Sequence, residues 1–116
     1  MRDLDELRDA LRTFSAERDW DQFHSPKNLA TALSVEAAEL LEIFQWMNEA
    51  DSRNLDPAAR AAASDEVADV LLYLVRLADR LGIDPIAAAR RSSSASGVSA
   101  AFSARACSGR TSDLLR

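Results

Sequence analysis

An all-α helical bundle is the fold the sequence predicts. Its 116 residues hold only three Gly and three Pro, so long stretches run uninterrupted. Within those stretches apolar residues recur every three or four positions, the spacing of one helix face. Three polar-residue–proline pairs, Ser25-Pro26, Asp56-Pro57 and Asp84-Pro85, place an N-cap directly before a proline suited to the first helical position. The length fits one domain with a modest core, and small helical units of this size commonly bury further surface by oligomerising. The expectation is therefore a four-helix, oligomeric bundle.

The first helix is expected from Asp3 to about Arg18, with Leu4, Leu7, Leu11 and Phe14 inward and Asp5, Glu6, Arg8, Asp9 and Arg12 outward. From Glu17 to Pro26 the period is lost and aromatic and polar residues mix, which reads as a turn whose aromatics could line a pocket. The second helix starts after Ser25 and carries Leu29, Leu33, Ala37, Leu40, Leu41, Phe44 and Met47. Polar residues between Asn48 and Asp56 read as a connection. The third helix runs from Pro57 to about Leu81 on Val67, Val70, Leu71, Leu74, Val75 and Ala78, and Gly82 suits a left-handed C-cap. The fourth starts at Asp84-Pro85 and proceeds towards Arg91.

Composition then changes. Residues 1–90 carry 10 basic and 18 acidic groups, whereas residues 91–116 carry 4 and 1 in a Ser-, Ala- and Arg-rich background. The division expected is a helical domain over 1–91 and a disordered tail over 92–116. The overall charge of -5 argues against a broad basic surface for nucleic acid. The single Cys107 excludes an internal disulfide framework, and with no secretory h-region and no long apolar span the expected compartment is the cytoplasm.

Charge inside the apolar helices points to chemistry. Glu36 and Glu39 interrupt the second helix, and Glu66 and Asp69 interrupt the third. Residues three apart share a helix face, so each pair can converge on one point, and antiparallel packing of the two helices would let the pairs meet. A single Glu-x-x-Glu is ordinarily a solvated, salt-bridged face. Two pairs on adjacent apolar helices are better explained by a hard divalent cation, since four empty carboxylates facing one another repel. Mg2+ fits best, with Mn2+ the other possibility, because it keeps positions for water and phosphate oxygens. The chemistry implied is phosphoryl transfer to water. A di-iron bundle would need Glu-x-x-His pairs, and the one histidine, His24, lies far from both motifs.

Tyr73 follows Asp69 by one helical turn, which puts an aromatic beside the metal, and Trp20 and Trp46 are the other polar-edged aromatics; a nucleobase could stack among them, or they could be core residues. His24, Lys27 and Asn28 fit either a structural role or contact with substrate.

These residues carry a resemblance. The run from Glu17 to Leu29, Glu36-x-x-Glu39, Phe44-Gln45-Trp46 and Glu66-x-x-Asp69 followed by Val70 to Leu74 resemble the MazG-like nucleotide pyrophosphohydrolases, closest to the dCTP pyrophosphatase branch, over roughly residues 4–90. The resemblance implies an all-α MazG fold that oligomerises as a dimer or tetramer. It implies hydrolysis of a nucleoside triphosphate, such as dCTP, to the monophosphate and pyrophosphate with Mg2+, cleansing the nucleotide pool. By motif, Glu36, Glu39, Glu66 and Asp69 would hold the metal, with Glu36 and Glu39 catalytic. Trp20, Trp46 and Tyr73 would line the nucleoside pocket, with His24, Lys27 and Asn28 as further substrate contacts. Neither a nucleic-acid polymer nor a membrane is an expected partner. The family's phosphate-holding segment, with a Lys, an Asn and a basic residue near Tyr-Pro, has no counterpart in the stretch from Arg91 to Val98. The alternative function is therefore a non-catalytic helical protein that binds nucleotide or a partner.

Overall fold

The computed structural model describes residues 3–94. By its internal contacts the chain divides into two units, Met1–Ile83 and Asp84–Arg116, each described by itself. The first holds α1 (Leu4–Glu17), a single 3-10 turn (Asp21–Phe23), α2 (Pro26–Phe44), the short α3 (Glu49–Ser52) and α4 (Pro57–Arg80); the second holds α5 (Pro85–Ser94). No strand occurs among the described residues. Nor is any described helix long and apolar enough to cross a membrane.

The helix starts follow local chemistry. Ser25 Oγ accepts from the Asn28 N–H at 3.1 Å, and Asp56 Oδ1 accepts from the Ala59 N–H at 2.8 Å. Each such cap satisfies a backbone donor the helix leaves unpaired and contributes about 1 kcal/mol. Asp3 does the same for α1 through the Glu6 N–H at 2.9 Å. Between Asn48 and Asp56 the expected connection contains one further helical turn, α3. Asn48 Oδ1 caps it through the Asp51 N–H at 2.8 Å, a signal present in the sequence but without the apolar period that marks a longer helix. The second helix ends at Phe44, short of Met47, and the last runs on to Ser94 rather than stopping at Arg91. The tail expected from residue 92 otherwise lies outside the described residues.

α2 packs chiefly on α4, and α1 more lightly on α4. Glu36 of α2 meets Glu66 of α4, while His24, just before α2, meets Arg76 ten residues further along α4. Earlier positions on one helix thus face later positions on the other, so α2 and α4 are antiparallel. Leu29, Ala63, Val75 and Ala78 form the buried apolar core. The rest of the apolar stripe is only partly covered: Val67 and Leu41 are each 54% exposed, and Leu74 is 43% exposed.

α4 closes as its glycine predicts. Gly82 has φ 68°, the Ile83 N–H donates to the Ala78 carbonyl at 2.8 Å, and the Gly82 N–H donates to the Asp79 carbonyl at 3.0 Å. These two bonds and the left-handed residue make a Schellman cap. A Cβ at position 82 would meet nothing within 4 Å, so the backbone angle alone resists a side chain there. Gly82→Ala is accordingly expected to destabilise the fold by about 1 kcal/mol, read as a lower urea midpoint with an unchanged m-value.

Candidate metal centre

The antiparallel pairing of α2 and α4 brings carboxylates together. Glu36, Glu39 and Glu66 each offer an oxygen within 4.8 Å of the others, with Glu36 and Glu66 half-buried and Glu39 exposed. Glu36 Oε2 and Glu66 Oε2 are buried and have no hydrogen-bond partner. An ionised carboxylate only accepts hydrogen bonds, so these groups cannot satisfy one another. Either a proton or a cation must enter the cluster. Without a cation the proton is held: burial first, then the neighbouring Glu39 and Glu66 carboxyls, then the charges of Glu39 and Asp69 raise Glu36 to about 7. Burial and the charges of Glu39 and Asp69 push Glu66 in the same direction. Two buried, unpartnered carboxylate oxygens beside a third carboxylate suit a hard divalent ion that takes oxygen ligands. Asp69, one helical turn after Glu66, adds its charge to this cluster and lines the adjoining cavity.

That cavity, about 240 Å³, has Glu36 and Asp69 among its lining residues, together with Trp20, Tyr73, Phe14 and His24. Trp20 is placed by the end of α1. Asp19 takes the left-handed conformation at φ 54°, the Asp19 N–H donates to the Ala16 carbonyl at 3.2 Å, and the Trp20 N–H donates to the Ser15 carbonyl at 2.9 Å. The segment read from sequence as irregular is therefore a second Schellman cap followed by a 3-10 turn. Aspartate tolerates the left-handed region better than most residues, and this is the local reason the chain can turn there. The Phe14 ring then meets Trp20 edge-on at 5.4 Å, and the Arg18 guanidinium lies 3.4 Å over the Phe14 centroid. Such cation–π and edge contacts are each worth roughly 0.5–1.5 kcal/mol.

The sequence-predicted site residues thus divide. Glu36, Glu39 and Glu66 converge, and Glu36, Asp69, Trp20, His24 and Tyr73 share the cavity. Trp46, Lys27 and Asn28 do not line it within one chain. Trp46, beyond the end of α2, is 90% exposed. Asn28 Nδ2 donates to the Phe23 carbonyl at 3.0 Å, tying the 3-10 turn to α2. Lys27 is exposed in the first turn of α2. Sequence reasoning missed the pocket's buried cation, Arg76, only 5% exposed, which bonds to His24 and Asp21. Its signal was a lone cation between Val75 and Leu77 in the apolar stripe of α4.

The chain is similar to known proteins. A family model described as the MazG-like family matches residues 31–96. The chain is 47% identical to dCTP pyrophosphatase 1 of Rattus norvegicus over 83 residues, which cover 70% of this chain and 49% of the relative. It is 46% identical to dCTP pyrophosphatase 1 of Homo sapiens over the same length and shares. It thus spans about half the length of these curated relatives. Among solved structures, a pyrophosphatase from Archaeoglobus fulgidus superposes with a TM-score of 0.67 at 44% identity, covering 75% of this chain and 82% of that one.

Proposed function

The chain belongs to the MazG-like family, and from that premise we propose that it is a nucleoside triphosphate pyrophosphohydrolase, converting a triphosphate and water to the monophosphate and pyrophosphate. The observation that carries this reading is the pair of buried, unpartnered carboxylate oxygens of Glu36 and Glu66, set beside an aromatic-walled cavity. Glu36, Glu39, Glu66 and Asp69 would hold Mg2+, or Mn2+, and the ion would supply charge shielding for the phosphates. Glu36 and Glu39 are also the proposed catalytic carboxylates, which would orient or deprotonate the attacking water, with Glu39 at the exposed side of the cluster. Trp20 and Tyr73 would hold the base, with His24 at the same wall. Trp46, Lys27 and Asn28, exposed within one chain, are proposed as further substrate contacts.

The proposed substrate is dCTP or a related or modified pyrimidine deoxynucleotide, and the proposed role is cleansing of the cytoplasmic nucleotide pool. The similarity to dCTP pyrophosphatases supports it. The apolar surface left open at Val67, Leu41 and Leu74 supports assembly into a homodimer or tetramer. Incubating the protein with a panel of nucleoside triphosphates and Mg2+ is expected to give monophosphate and pyrophosphate in equal amounts, fastest with dCTP, when resolved by chromatography. Release of orthophosphate and a diphosphate, or no product from any triphosphate, would overturn the reading.

The second reading, a helical protein that binds nucleotide or a partner without catalysis, is favoured by the Ser-rich sequence after Arg91. Calorimetric binding of dCTP with no hydrolysis would select it.

A further inference from the structure

We propose that Arg76 is the positioning residue of the pocket's aromatic wall: it ties the Asp21–Phe23 turn to α4 and fixes His24 as a neutral imidazole with its proton on Nε2. The inference deepens the pyrophosphohydrolase reading, resting on it only for what the pocket receives. Arg76 Nε lies 3.2 Å from His24 Nδ1, Nη2 donates to Asp21, and Nη1 faces Asp79 Oδ2 at 3.5 Å. Asp79 is in turn held by Arg12 of α1 through a two-point contact. The Arg80 Nε also donates to the His24 carbonyl at 3.1 Å. One buried guanidinium therefore joins the turn and α4, and through Asp79 it reaches α1.

The protonation state follows from the donor inventory. A guanidinium carries only N–H donors and keeps its proton, so the atom facing Nε must offer a lone pair. His24 Nδ1 is then an acceptor, and the neutral ring carries its hydrogen on Nε2. A histidinium would set one N–H against another. Burial, followed by the positive charge of Arg76, lowers the His24 pKa; Asp21 acts against this and Arg80 with it. Burying Arg76 would be costly alone, and the carboxylates of Asp21 and Asp79 offset that cost.

The consequence is a matter of recognition. His24 lines the cavity, and the group its ring has left for a ligand is the Nε2–H donor. That donor matches an acceptor on a base edge, such as a carbonyl oxygen or unprotonated ring nitrogen of a pyrimidine, rather than a phosphate, which a cationic imidazole would favour. Arg76 acts through His24 and the turn that Asp21 belongs to, so its loss should raise KM and leave kcat nearly unchanged.

His24 is the one histidine in the chain, so untagged protein labelled with 15N-histidine gives ring signals that need no assignment. The wild type is expected to show a protonated Nε2 and an unprotonated Nδ1 at pH 7, and to stay neutral below the ordinary value of 6.5. In Arg76→Met the ring should titrate nearer that value with mixed tautomers, and KM should rise about tenfold, the scale of losing one hydrogen bond from a charged group. Arg76→Lys should not restore either property, because one ammonium cannot match the guanidinium fork. A wild-type ring protonated on Nδ1, or ring signals and KM unchanged in Arg76→Met, would overturn the proposal. Should the variants fail to fold by circular dichroism, the wild-type tautomer alone decides. Absence of hydrolysis with the Nε2–H tautomer in place would count against the pyrophosphohydrolase reading and leave the role of Arg76 standing.

Discussion

Replacing Glu39 by Gln, or Asp69 by Asn, is expected to lower turnover about 10²- to 10⁴-fold, the range a positioned acid–base group supplies, with the helical content unchanged. Both changes keep the side-chain shape and remove only charge. Glu39 is the exposed member of the three-carboxylate cluster, so its replacement disturbs no core packing. Asp69 lines the cavity and acts through its charge on Glu36 and Glu66. Each variant should also need more Mg2+ for half-maximal rate, because a neutral amide is a poorer partner for a hard cation than a carboxylate. Steady-state kinetics over a range of Mg2+, with circular dichroism as the control for folding, make the check. Wild-type rates in either variant would remove that residue from the site.

The second large effect is on stability. Glu36 sits at about 7 against an ordinary 4.5. Between those two values the folded chain keeps a proton that the unfolded chain has released, so folding is favoured most at low pH. The stability contributed is fully present below 4.5 and is lost as pH rises through 7. Glu66, also raised, works in the same direction. His24, with a lowered pKa, works oppositely, but it is common to wild type and a carboxylate variant and drops out of their comparison. Metal-free Glu36→Gln is therefore expected to melt higher than metal-free wild type at pH 8 and to differ little from it at pH 4.5. Mg2+ should raise the wild-type melting temperature at pH 8 by mass action and have much less effect on the variant. Melting curves in chelator and in Mg2+ at the two pH values make the test. A variant less stable than wild type at pH 8 would show that the cluster is not a site of charge repulsion awaiting a cation.

The residues that made the fold legible were those whose effects are local. Pro26, Pro57 and Gly82 each act on their own helix end: α2 begins at Pro26, and α4 begins at Pro57 and closes at Gly82, as they say. The carboxylate pairs were legible for a related reason: charge in an apolar stripe requires compensation, and three-residue spacing fixes its direction. What escaped was tertiary. The cap at Asp19 depends on one residue accepting a left-handed backbone, which few side chains announce. Arg76 looks like an interruption of the α4 stripe until the fold brings Asp21 to it from far off in sequence, beside Asp79 one helical turn on. The openness of Val67, Leu41 and Leu74 was equally hidden, since periodicity shows that a face is apolar without showing what covers it.

The proposed pyrophosphohydrolase chemistry depends on α2 and α4 building a divalent-cation site from Glu36, Glu39, Glu66 and Asp69. Electron paramagnetic resonance of Mn2+ tests it most directly, because free Mn2+ gives a six-line signal that diminishes on binding, independently of substrate. Titrated into the protein, Mn2+ is expected to lose that signal up to saturation, to recover it when excess Mg2+ competes, and to keep it largely intact in a Glu36→Gln, Glu66→Gln double variant. A wild-type protein that leaves the signal undiminished, or a double variant that binds as tightly as wild type, would contradict the claim.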